Sequence, residues 1–220
     1  MKSIKSLSVI TIFLFFISCF GFSNEKDTLN SNSEILENSI NSNTKVAYFA
    51  SGCFWCVEAI FESVRGVEEA VSGYAGGHTK NPTYESSNTG KTGHAETVAV
   101  YYNPEVVSFK TLVTVYFGSH NPTTVNGQHP DYGSQYRSIA FYSNNTEKQI
   151  IEDMIAKLNK EVYNGKVATE VKKIDTFYKA EEYHQDFEKR NPNQPYVKAV
   201  SIPRLNRFKA KFPELLKKEK

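Results

Sequence analysis

Cys53 and Cys56 bracket a Phe54–Trp55 pair in the stretch ASGCFWCVEA (residues 50–59), and the remaining cysteine, Cys19, lies far upstream. The apolar run KVAYFAS precedes the pair and a helical pattern follows it, so Cys53 falls where a strand turns into a helix. A thiol there lies near unpaired backbone N–H groups and the positive end of the helix dipole. Both favour thiolate, which predicts a depressed pKa for Cys53 and makes it the nucleophile candidate. Cys56 sits one turn inside. Side chains three apart on a regular helix have Cβ atoms about 5–6 Å apart, whereas a disulfide needs roughly 3.5–4.5 Å. The two thiols can bond only if Cys53 lies off the helical path or the first turn loosens. A strained, exposed bond of that kind is redox-active rather than a structural staple.

Spacing alone leaves several uses open for this C-x-x-C pair. One is thiol–disulfide exchange. A second is metal ligation: His94 and Glu96 in "HAE" together with two cysteines resemble the ligand set of zinc deaminases, although the order along the chain is reversed and no proline precedes the first cysteine. A third is a cysteine nucleophile with a resolving thiol beside it, acting on an oxidised or electrophilic substrate. The plain alternative is two small buried hydrophobes. Phe54 and Trp55 would suit a soft, methyl-bearing substrate, because sulfur and S-methyl groups pack well on aromatic rings.

The elements that must position these residues alternate. Strands are expected at 45–51, 67–77, 95–104, about 138–142 and about 168–177, and helices at 54–64, 108–120, about 145–160 and 179–190. Two long polar loops, 78–94 (with room for one short helix) and 121–137, join them, and loops of that length in a compact domain are usually functional. The tail, with prolines at 192, 195, 203 and 213, reads as irregular or as short helical turns. This pattern predicts an α+β fold, a two-layer sandwich of a mixed sheet with helices packed mainly on one side.

Residues 1–23 combine Lys2 and Lys5 with an apolar run too short to span a bilayer and small residues at Gly21 and Ser23, the pattern of a cleaved secretory signal. Cys19 admits a variant in which it becomes the lipid-bearing first residue of a lipoprotein. Residues 24–44, rich in Asn and Ser, read as a disordered polar linker, 45–213 as the folded domain and 214–220 as a basic tail. Losing Lys2 and Lys5 takes the formal charge from +2 to 0, which gives no reason to expect a nucleic-acid partner, and a membrane only through the N-terminal lipid.

Six motifs in order, GCFWC (52–56), GYAGG (73–77), NPTY (81–84), TGHAETVAVYYNP (92–104), DYGSQYRS (131–138) and AEEYHQDF (180–187), closely resemble the A-type peptide methionine sulfoxide reductases. The likeness spans about residues 45–213 and implies a ferredoxin-like core with long functional loops. It implies that Cys53 attacks the sulfoxide sulfur, that Phe54 and Trp55 hold the S-methyl group, and that Glu96 supplies a proton to the oxygen. Tyr84 and Tyr136 would hydrogen-bond that oxygen, and Asp131 would help orient substrate and pocket. His94 receives no role.

The chemistry asks for such a set. A sulfoxide is a poor electrophile until its oxygen is protonated, and a carboxyl can do this near neutral pH only if desolvation raises its pKa. Many members of the family resolve the resulting Cys53 sulfenic acid with a C-terminal cysteine, but this chain has none beyond Cys56. Apart from Cys19, if retained on its tether, Cys56 is the only resolving thiol, so the resemblance implies a Cys53–Cys56 disulfide reduced by a thioredoxin-like donor, with no metal or cofactor, in a repair enzyme acting on free or peptide-bound methionine-S-sulfoxide. The N-terminal signal pattern makes that enzyme exported, periplasmic or extracellular. The rivals are a general C-x-x-C disulfide oxidoreductase and a non-catalytic zinc-binding domain.

Overall fold

The structure is a computed structural model that describes residues 43–218; the expected signal, Cys19 and nearly all of the linker lie outside the described residues. Strand β1 (Lys45–Ser51) leads into helix α1 (Phe54–Glu62), β2 (Val67–Ala75) and the short α2 (Tyr84–Asn88). Then come β3 (Ala95–Tyr102), α3 (Phe109–Gly118), the two-residue strands β4 (Gly127–Gln128) and β5 (Asp131–Tyr132), and β6 (Ser138–Tyr142). Helix α4 (Asn145–Leu158) precedes β7 (Glu170–Lys173), β8 (Phe177–Lys179), α5 (Phe187–Arg190) and α6 (Ile202–Lys211). Among the described residues no helix is long and apolar enough to cross a membrane.

The central unit β1-α1-β2-β3-α3-β6 forms a sheet in the order β6-β1-β3-β2 with antiparallel neighbours, the ferredoxin-like arrangement. Two edge strands complete the α+β sheet, β7 parallel to β6 and β8 antiparallel to β2. They lie at opposite ends of a six-stranded order, yet only residues 174–176 join them. A flat sheet would hold those edges ~24 Å apart, five spacings of about 4.8 Å. Four residue steps reach only about 14 Å, so the sheet has to roll. Tyr48, Ile174 and Phe177 pack on the small inner cluster of Ala50, Ala75, Ala95, Ile139 and Phe141 that the roll encloses.

The alternation along β3 decides where its side chains go. Ala95 belongs to the inner cluster, whereas Val98 and Val100 join the main core beneath the helices with Phe49, Phe61, Leu112 and Tyr116. Glu96 shares the helix-side face with Val98 and Val100, opposite Tyr74 in register on β2. A carboxyl on a central strand with both faces covered is necessarily buried.

Three local expectations change. The strand expected at 168–177 is two strands on opposite edges, because the chain crosses the mouth of the roll at 174–176. The helix expected at 179–190 is instead β8, a 3-10 turn at Glu182–His184 and the one-turn α5. It is broken because Gln185 hydrogen-bonds the backbone of Ser72 on β2, while Asp186 takes a left-handed φ of 52° and gives its N–H to Glu58. The tail holds helical turns, as one of the two expectations had it, but also the 10-residue α6: Pro203 is accommodated at its start, behind a π-helical turn at Val197–Ser201 that already interrupts the usual hydrogen-bond ladder. Glu214–Lys217 also packs on the domain, where Arg65 donates to Leu215 and Lys217 to Ser63.

Candidate active site

Cys53 occupies the N-cap of α1 with φ −52° and ψ 122°, off the helical path, so the geometric condition for reaching Cys56 is met. Gly52 delivers it there. Its φ of +88° favours glycine, and a Cβ would stand 2.7 Å from Cβ of Gln128. Both cysteines are free and buried.

A cavity of about 200 Å³ opens on Cys53, and Phe54, Trp55, Tyr84, Glu96, Asp131 and Tyr136 line it too. The structure thus brings together seven of the eight site residues expected from sequence, drawn from α1, α2, β3, β5 and the 3-10 turn at Ser134–Tyr136. Cys56, the eighth, lies behind Cys53 rather than on the cavity wall; its Sγ accepts from Ser201 Oγ at 2.9 Å.

Glu96 is 2% exposed, and its Oε2 accepts from the N–H of Phe54 at 2.9 Å. Burial pushes its pKa up to about 8; the Phe54 N–H opposes this, and the charges of Asp131 and Cys56 reinforce it. At neutral pH Glu96 therefore carries a proton and can donate it. Burial also raises Tyr84 and Tyr136, so both phenols keep their protons as donors.

The depressed pKa expected for Cys53 is not found. Burial pushes its thiol well up, Cys56 and Glu96 act the same way, and only Tyr196 opposes. The physical reason is desolvation: Cys53 is buried and its side chain accepts no capping hydrogen bond from the helix, so the helix mouth does not offset the cost of a buried thiolate. Cys56 is lowered. The hydrogen bond from Cys53 is the main cause, with Arg204, Ser201 and Tyr196 assisting against burial. When the pair loses its first proton, the charge rests on Cys56.

Sequence reasoning missed Gln194 and Tyr196, which also line the cavity. Tyr196 donates to Asp131 Oδ2 at 2.5 Å and lies 4.0 Å from Cys56 Sγ, so it connects the loop carboxylate to the cysteine pair. A tyrosine after Pro195 in a polar tail was the only local signal. The motif AEEYHQDF, quoted without roles, builds the aromatic wall. Trp55 Nε1 donates to His184 Nδ1 at 3.0 Å, and its ring stacks on Phe187 at 3.7 Å. Glu181 accepts from the Tyr84 N–H at 2.9 Å and from the Tyr74 hydroxyl at 3.0 Å.

The zinc reading fails on geometry. His94 Nδ1 accepts from the Gly77 N–H, which leaves Nε2 to donate to the Thr79 carbonyl, so neither nitrogen is free for a metal. Among the described residues the one carboxylate, thiol or imidazole cluster close enough to hold an ion is Glu58, Glu62 and Asp186, which contains no cysteine.

Residues 45–216 match the family model described as peptide methionine sulfoxide reductase. The peptide methionine sulfoxide reductase MsrA of Polynucleobacter asymbioticus is 43% identical over 171 residues, covering 77% of this chain and 90% of that protein. The MsrA of Ruthia magnifica is 46% identical over 164 residues, 74% of this chain and 98% of its own. Among solved structures, methionine sulfoxide reductase A of Corynebacterium diphtheriae aligns with a TM-score of 0.64 at 34% identity, over 70% of this chain and 78% of that one. Reduced Mxr1 of Saccharomyces cerevisiae aligns at 0.65 with 31% identity, over 70% and 90%. A buried thiol, a protonated buried carboxyl and two phenols around one small cavity fit that likeness: the chain belongs to the peptide methionine sulfoxide reductase family, and its reaction is the thiol-dependent reduction of peptide-methionine (S)-S-oxide.

Proposed function

We propose that Cys53 is the nucleophile, Glu96 the proton donor, Tyr84 and Tyr136 the oxygen-binding phenols, and Phe54 and Trp55 the wall for the S-methyl group, with Asp131 orienting the pocket through Tyr196. The observation that carries this reading is the buried, protonated Glu96 carboxyl on the same 200 Å³ cavity as Cys53. The Cys53 sulfur bonds to the sulfoxide sulfur as Glu96 gives its proton to the oxygen and the phenols hydrogen-bond it; the proton that Cys53 loses passes to the Glu96 carboxylate. Collapse transfers oxygen to Cys53 and two electrons to the substrate sulfur. Thiol and sulfoxide become sulfenic acid and thioether, and Glu96 recovers its proton.

Cys56, the thiol more easily ionised in the pair, then attacks the sulfenic sulfur and expels hydroxide, which leaves as water once protonated. A thioredoxin-like dithiol reduces the resulting disulfide. The decisive assay supplies each sulfur epimer of a methionine sulfoxide peptide with dithiothreitol and follows methionine. Wild type is expected to turn over the S epimer alone and Cys53→Ser neither; activity in Cys53→Ser would refute the assignment.

Export belongs to the same reading, supported by Lys2, Lys5 and the apolar run that follows. It places the enzyme in the periplasm or outside the cell, with residues 24–44 as a tether and Cys19 either lipid-bearing or removed. A mature N-terminus found at Met1 would refute it.

A further inference from the structure

Behind the Asp131–Tyr196 pair lies a second cavity, of about 430 Å³. Those two residues line it and the catalytic cavity alike, so the two spaces share a wall. Its charged lining is one-sided. Arg204, Arg207 and Lys211 face a single carboxylate, Asp131, which already accepts from Tyr196. The three cations are spaced three and four residues apart on α6, which puts them on one face of the helix. Among the described residues none of them pairs with a carboxylate.

Arg204 is held in place. Its Nε donates to the Ser119 carbonyl at 2.9 Å and its Nη2 to the Ser51 carbonyl at 3.0 Å. Nη1 has no hydrogen-bond partner among the described residues, and it lies next to Gly52, 3.5 Å from where a Cβ would stand there. A guanidinium fixed by two backbone carbonyls, with donors to spare and no carboxylate in salt-bridge contact, is preorganised for an anion and loses little freedom in binding one. Arg207 and Lys211 are exposed and extend the positive field outward from it.

We infer that this cleft receives a carboxylate side chain of the oxidised polypeptide itself, an Asp or Glu within a few residues of the methionine sulfoxide. The inference rests on the sulfoxide side chain occupying the Cys53 cavity. That cavity holds little beyond one side chain, so the flanking backbone runs over its rim. At about 3.3–3.6 Å per extended residue, positions two or three away reach a neighbouring cleft. The enzyme would therefore favour methionines in acidic surroundings and discriminate against those flanked by lysine or arginine.

The test uses peptides with blocked termini that carry one methionine-S-sulfoxide, with Glu or Gln scanned through the three positions on each side. Dithiothreitol serves as reductant, so that no protein donor competes for the cleft. At low ionic strength Glu at one or more positions is expected to raise kcat/KM about 5- to 10-fold over Gln, the scale of a partly exposed charge-assisted contact. The ratio should fall towards one in high salt, and should be reduced in Arg207→Gln/Lys211→Gln, whose two side chains are exposed. A Glu/Gln ratio near one at every position overturns the inference, as does a preference unaltered in the double variant. Reduction of the all-Gln peptide by wild type checks the catalytic reading separately: its failure would point to the Cys53 assignment, not to the cleft.

Discussion

Glu96→Gln separates the two consequences of burying an acid. The side chain keeps its shape and can still accept from the Phe54 N–H, but it has no proton to give at the sulfoxide oxygen. General acid catalysis typically contributes about 10²–10⁴-fold, so kcat/KM should fall by that factor. Activity of the wild type should also fall as pH rises through about 8, where Glu96 ionises, and the variant should lack that descending limb. The substitution moves stability the other way. The folded pKa lies above the unfolded one, so below the ordinary 4.5 both states are protonated and nothing is lost. Between 4.5 and about 8 the unfolded chain ionises first, and stability drains away as pH rises. At about 1.36 kcal/mol for each pKa step, the whole window corresponds to an upper figure of about 5 kcal/mol. Glutamine carries none of this penalty, so the inactive variant should melt several degrees above wild type at pH 8 and show little difference at pH 4. Kinetics across pH 5–10 together with thermal melts at the two pH values read both effects. A variant that retains more than a tenth of wild-type kcat/KM, or gains no stability at pH 8, refutes the protonated-carboxyl reasoning.

Cys56→Ser should form about one methionine per enzyme in a single turnover but stall with a thioredoxin-type donor; sustained turnover with that donor would remove Cys56 from the resolving role. Gly52→Ala should destabilise by about 1–3 kcal/mol, the usual scale for a non-glycine residue held at left-handed φ, and should lower kcat/KM by displacing Cys53. Denaturant melts and steady-state kinetics check it, and an unaltered midpoint would show that the turn can relax.

The parts of this protein legible in its sequence are those governed by local repeat. Alternation in AETVAVYY marked the strand at whose start Glu96 stands, and the switch from strand to helix period at Cys53 located the helix mouth. The GCFWC, NPTY, GHAE and DYGSQYR segments carried the pocket residues, because each is a short stretch whose own turn or cap presents them.

Tertiary structure alone decided the rest. Residues 179–190 have a helical pattern, yet the Gln185 and Glu58 hydrogen bonds with distant backbone outweigh propensity and break it. Tyr196 enters the site from 65 residues beyond Asp131, a closure no local period encodes. The protonation of Cys53 turned on burial. Helix position favoured thiolate, but the fold buries the thiol beside Cys56 and the Glu96 carboxyl, brought from 42 residues beyond Phe54, and desolvation set the sign. Periodicity is a property of neighbours in sequence, whereas desolvation and the choice of hydrogen-bond partner depend on what the fold brings from elsewhere.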